Sequence, residues 1–121
     1  MILIPVSIGE LVDKLTILEI KREKINDMTK LEKVNKEYCE LKKLYNNLYE
    51  NEYNELKRIN LKLWEIEDDI RIKEKNKEFD KEFIELARSV YTTNDKRFNI
   101  KNRINIKSHS EINEVKSYEK W

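Results

Sequence analysis

A chain of 121 residues in which 25 Lys and Arg balance 24 Asp and Glu has no basic field, which argues against generic nucleic-acid or anionic-membrane binding. One Gly and one Pro are too few for the turns of a sheet-rich domain, so the chain reads as one all-α domain with long helices and few connections. A single cysteine, Cys39, rules out an intrachain disulfide and makes a reducing, cytoplasmic setting the expectation, and no apolar run approaches the length of a membrane span.

Residues 1–6 are apolar, contain the only proline and read as an extended arm. They lack the basic start and the length of a signal peptide. Ser7 and Glu10 form a capping box that opens a first helix reaching about Asn26. A second box, Thr29 with Glu32, starts the next helix. There Leu31, Val34, Tyr38, Leu41, Tyr45 and Leu48 step by three and four in a coiled-coil-like seam. The Asn-rich stretch from Tyr45 to Asn54 reads as a turn or hinge. Leu56, Ile59, Leu63, Ile66 and Ile70 form the stripe of a third helix, and Lys73–Glu78 separates it from a fourth that starts near Phe79 or Asp80. A break with a new cap at Thr93 or Asn94 is expected in that helix. The helical region, 7–107, ends at Ser108–Glu111, and 108–121 is a tail, free or folded back beside the arm. The expected architecture is an antiparallel bundle or long helical hairpin whose seams close within one chain or, as its narrow helices favour, in a homodimer.

The apolar stripes carry polar interruptions. At 100° per residue the stripe Ile8, Leu11, Val12, Leu15 continues into Glu19, Arg22 and Asn26. Glu67 borders the Leu63–Ile66–Ile70 face with Arg71 close by, and the stripe Phe83, Leu86, Ala87, Val90 runs into Asn94 and Arg97. A charge near a core line is costly unless paired. These residues therefore either pair with one another or line a pocket for a polar ligand, and the planar forks of the arginines suit an anionic one.

Other signals are weaker. Leu63–Arg71 holds four carboxylates, of which Glu65 and Asp68 lie one turn apart at a spacing that can share a Mg²⁺. All-α nucleotide pyrophosphohydrolases use such pairs, but a solvated acidic face has the same pattern. His109 stands without a second ligand, so zinc is not expected. Trp64 lies off the seam centre and suits a subunit contact.

Four stretches together, Pro5–Lys21, Leu63–Arg71, Phe79–Arg97 and the closing Lys116–Tyr118, resemble an uncharacterised bacterial family. Its members are short helical proteins often encoded beside, or fused to, glycosyltransferases of surface-polysaccharide synthesis. The resemblance implies a setting in surface-glycan metabolism and a glycosyltransferase partner, with no assigned catalytic residue. It also singles out Asp13, Lys14, Glu67, Asp68, Arg71, Arg88, Asn94, Asp95 and Arg97 as the polar positions of the signature stretches. The chain is similar in size and helical build to the all-helical chorismate mutases too, which implies dicarboxylate-binding parts for Arg22, Arg71 and Arg97. That family's Asp followed three residues later by Arg-Glu is missing from the sequence.

The expectation is thus a small helical accessory or binding protein of surface-glycan synthesis, with Glu19, Arg22, Glu67, Arg71, Arg88, Asn94, Asp95 and Arg97 as candidate ligand-binding residues for an anionic small molecule. The alternatives are an enzyme on an anionic metabolite, of mutase or Mg-dependent pyrophosphohydrolase type, and a structural coiled-coil adaptor.

Overall fold

The computed structural model describes residues 1–120; Trp121 lies outside the described residues. Four helices follow one another: α1 (Ile8–Lys24), α2 (Met28–Lys42), α3 (Glu50–Lys75) and α4 (Lys81–Lys107), with no strand among the described residues. No helix is long and apolar enough to cross a membrane.

Ser7 caps α1 by accepting from the Glu10 N–H at 3.1 Å, as expected, but the Glu10 carboxylate goes to Lys101 on α4 at 2.8 Å. Half of that capping box is local and half is tertiary. The α2 cap is Asp27, which accepts from the Lys30 N–H at 3.0 Å, so the helix starts two residues before a Thr29 cap would start it. The Asn-rich stretch is a turn only in its first part: α3 starts at Glu50, and the ring of Tyr53, inside α3, stacks on Tyr45 with centroids 5.8 Å apart. The α3–α4 turn is held by Lys73, whose ammonium meets Glu78, Asp80 and Glu82 at 3.1, 2.9 and 3.1 Å.

The fourth helix is not broken. It runs from Lys81 to Lys107 through Thr92–Asp95, and the Thr92 hydroxyl bonds back to the carbonyls of Arg88 and Ser89 instead of capping anything. Cap-forming residues are tolerated inside a helix when the side chain can bond to the preceding turn. Beyond Lys107 the chain leaves the helix through His109, which sits in the left-handed region at φ 55° while the Ser110 N–H closes on the Asn105 carbonyl.

Helices α3 and α4 form a long hairpin of about 39 Å, paired in opposite directions as Glu55–Arg103 near one end and Lys73–Glu82 near the other. Helix α1 pairs in opposite direction with α4 (Gly9–Asn105, Asp13–Arg97) and also with α3 (Asp13–Asn60, Glu23–Lys57). Three straight helices cannot all be mutually antiparallel, so α1 lies obliquely across the hairpin. Helix α2 packs on the outer side of α1.

Val12, Leu15, Leu56 and Ile104 are fully buried, joined by Tyr45, Tyr53 and Ile100. Leu31, Val34, Tyr38 and Leu41 of the α2 seam are half-buried, whereas Leu48 is exposed. The arm of residues 1–6 is exposed throughout.

Candidate functional site

Helix α1 is covered from three sides, so its buried surface is wider than one stripe. Besides Val12 and Leu15, it buries a second row one turn apart: Gly9, Asp13, Thr16 and Ile20. Gly9 lets α4 approach. A Cβ there would lie 2.5 Å from the Lys101 carbonyl oxygen, and the Gly9 N–H donates to the Asn105 side-chain oxygen at 2.9 Å. That contact serves one of the N–H groups a helix start leaves without an internal partner.

One turn on from Gly9, Asp13 is the centre of the polar layer. Its carboxylate is 1% exposed and accepts a two-pronged bond from Arg97, Nε to Oδ1 at 2.9 Å and Nη2 to Oδ2 at 2.6 Å. The Asn60 amide donates to Asp13 Oδ1 and to Thr16 Oγ1, both at 2.9 Å, and Thr16 Oγ1 donates to the Asp13 carbonyl at 2.7 Å. Lys101, on α4 one turn beyond Arg97, reaches Glu10 at 2.8 Å, Glu114 at 3.1 Å and Asp13 at 4.0 Å. A buried carboxylate with two cations and a donating amide meets the condition under which burial is tolerable.

The electrostatics hold both cations charged. The Asp13 carboxylate raises the Arg97 pKa further above its ordinary value, outweighing burial. Burial pulls Lys101 down, but Glu10, Asp13 and Glu114 outweigh it and the net direction is up. Asp13 engages two of the five N–H groups of the Arg97 fork; the other three meet no protein acceptor among the described residues.

Those groups matter because Arg97 stands between two clefts. One, of roughly 510 Å³, lies between α1, α3 and α4 and is lined by Asn60, Trp64, Glu67, Arg71, Asn94 and Arg97 over an apolar floor that includes Ile17, Ile20 and Val90. The other, of roughly 590 Å³, lies between α4 and the tail and shares Val90, Asn94 and Arg97 with the first.

Of the residues expected to bind a ligand, Glu67, Arg71, Asn94 and Arg97 do meet, in the first cleft. Arg71 is paired with Glu67 at 3.0 Å on the exposed face of α3. Asp95 faces the second cleft. Glu19 and Arg22 belong to neither. Glu19 accepts from the Tyr53 hydroxyl and pairs with Lys57 at 2.9 Å; burial pushes it up, yet Tyr53 and Lys57 bring it below its ordinary value. Arg22 donates to Asn35 at 2.9 Å and lies 4.2 Å over the Tyr38 ring, tying α1 to α2. Arg88 is exposed and lines neither cleft. The polar residues on the stripes therefore make four separate contacts: Arg97 with Asp13, Arg71 with Glu67, Glu19 with Tyr53 and Lys57, and Arg22 with Asn35 and Tyr38. Asn60 and Lys101 carried no sequence signal, being one amide and one lysine among many, while Asp13 stood out through the resemblance and through its one-turn acidic spacing with Glu10.

Glu65 and Asp68 are both exposed, and among the described residues no group of three or more His, Cys, Asp or Glu is placed to hold a metal ion. Trp64 is half-buried at the first cleft.

The sequence matches the family of unknown function DUF6165 over residues 2–121. The chain belongs to that family. No curated protein and no solved structure matches it. DUF6165 membership covers the arm, the four helices and the tail alike, so both clefts lie within the matched region.

Proposed function

We propose that the protein is a small helical binding protein whose α1–α3–α4 cleft takes an anionic small molecule, with surface-glycan synthesis as its setting. The observation that carries the binding reading is Arg97. Its guanidinium is anchored by Asp13 and, among the described residues, keeps three N–H groups without a protein acceptor at the wall of a cleft of roughly 510 Å³, and the side chain is 29% exposed. That volume is within the range of small-molecule sites, and an apolar floor with a few polar groups is their usual build. Trp64 supplies an indole face for a sugar ring or base, and the amide of Asn94 supplies a polar partner. The Arg71–Glu67 pair at the rim is solvent-exposed and contributes only about 0.3–0.5 kcal/mol, so Arg71 can turn to a ligand at little cost. The glycan setting rests on the resemblance of the signature stretches alone, and a glycosyltransferase partner would follow from it.

The test is a melting panel of the full chain with nucleotide sugars and sugar phosphates. A ligand at 100 times its Kd adds about 2.7 kcal/mol, several degrees for a domain of this size. Arg71→Met should leave the unliganded Tm nearly unchanged, because Arg71 is exposed, and should weaken the ligand at least tenfold. Equal shifts in both proteins, or none in either, would remove the reading.

A further inference from the structure

One wall of the second cleft is the chain's own tail, which covers the α4 groove beside it. After His109 the tail turns back and runs along α4 in the opposite direction. Glu114 meets Lys101 at 3.1 Å, and Lys116 reaches the Asn94 carbonyl at 3.3 Å and the Asp95 carboxylate at 3.8 Å. The Lys116 ammonium also lies 5.3 Å from the centre of the Phe98 ring. In an extended chain, residues two apart share a side. Glu114 and Lys116 accordingly face α4, and Val115 between them is 84% exposed.

The groove beneath thus has two charged subsites about 10 Å apart along α4, the rise of seven residues. Lys101 forms an anion subsite. Asp95, the Asn94 carbonyl and the Phe98 face form a cation subsite. Val90 and Tyr91 also line the groove. Among the described residues of the tail, Val115 and Tyr118 are exposed and Ile112 is 46% exposed, so residues 110–120 add little apolar burial to this charge match. Opening of the tail leaves the Lys101 ammonium paired with Glu10 at 2.8 Å, and segments with few buried apolar contacts open at low cost. The groove is therefore selective for its occupant and loosely closed by it.

We infer that this groove is a docking site for an extended segment of a partner protein carrying a carboxylate and an ammonium two residues apart, and that Glu114-Val115-Lys116 is its occupant in cis. The partner segment replaces the tail and makes the same two contacts. A first cis occupant lowers the apparent affinity by the fraction of time the groove is open. The inference is independent of the Trp64 cleft, with which the groove shares only the wall formed by Val90, Asn94 and Arg97.

The experiment is fluorescence anisotropy with a labelled peptide of the sequence Ser110–Lys120. The full wild-type chain is compared with the full chain carrying Glu114→Gln and Lys116→Gln, which loosens the tail. The loosened chain should bind at least tenfold more tightly than wild type. Replacing the peptide's Glu and Lys by Gln should weaken binding at least tenfold, as should Asp95→Asn in the loosened chain. A peptide that keeps only Glu-x-Lys in a Gly/Ser context should bind within about threefold of the native one. If only the native sequence binds, the groove serves the tail alone and the partner reading is wrong. Absence of binding by a loosened chain that melts cooperatively, or equal binding of the Gln peptide, also overturns it. Lys116→Gln alone is the second receptor should the double variant melt early; failure there counts equally.

Discussion

Asp13 gathers more of the structure than any other side chain. With a 1% exposed carboxylate, it takes both prongs of Arg97 and an amide hydrogen of Asn60, and it helps hold Lys101 charged. Removing one partner of such a pair costs far more than the pair contributes, because the remaining charge stays buried. Asp13→Ala is therefore expected to cost about 3–5 kcal/mol, a large part of the roughly 5–15 kcal/mol that holds a domain together. Asp13→Leu combined with Arg97→Met removes both charges and should recover most of that loss. Urea denaturation of the single variants, the double variant and the wild type gives the coupling. A single-variant loss under about 1 kcal/mol would mean that water enters and the network is incidental.

Between elements, α1 and α4 approach each other closely at Gly9. Alanine is the better helix former by about 1 kcal/mol, so propensity alone predicts that Gly9→Ala stabilises the protein. Packing predicts the reverse, because the new methyl would lie 2.5 Å from a backbone oxygen of α4, which cannot swing aside as a side chain can. Overpacking of this kind costs about 1–3 kcal/mol, and the expected result is a lower Tm with the Glu10–Lys101 and Asp13–Arg97 contacts strained. A raised Tm would show that the two helices can slide apart freely. The same crossing decides what the polar stripe positions do: Glu19 and Arg22 face α3 and α2, while Glu67 and Arg71 face the cleft.

For the whole molecule, the carboxylates that join distant helices set the response to acid. Glu52 is buried and held by Lys107, which with other neighbours keeps its pKa below the ordinary 4.5 despite burial. Glu19 is also lowered, the Tyr53 and Lys57 contacts overcoming burial. A group with a lower pKa when folded binds fewer protons folded than unfolded between the two values, so stability rises with pH there. Its contribution is present above about 4.5 and is lost as pH falls through the lowered folded value. Urea midpoints measured from pH 6 to pH 3 should be level at first and then drop. Glu52→Gln should flatten the drop while lowering the plateau. An unchanged slope would mean that Lys107 does not hold Glu52 in solution.

Composition and periodicity were enough for the helical class and the presence of polar residues on the core line, because glycine scarcity and 3.6-residue spacing are local properties of the chain. The continuity of α4 through Thr92–Asp95 was not legible, since the same hydroxyls that cap a helix can bond back into one. Nor was the role of Asp13, which falls beside the apolar stripe and is buried only because α1 is covered by three helices at once. Sequence alone determined that charge would lie near the core. Only the tertiary structure decided which charges meet, because the oblique crossing of α1 brings Asp13, Asn60 and Arg97, up to 84 residues apart in the chain, to one point.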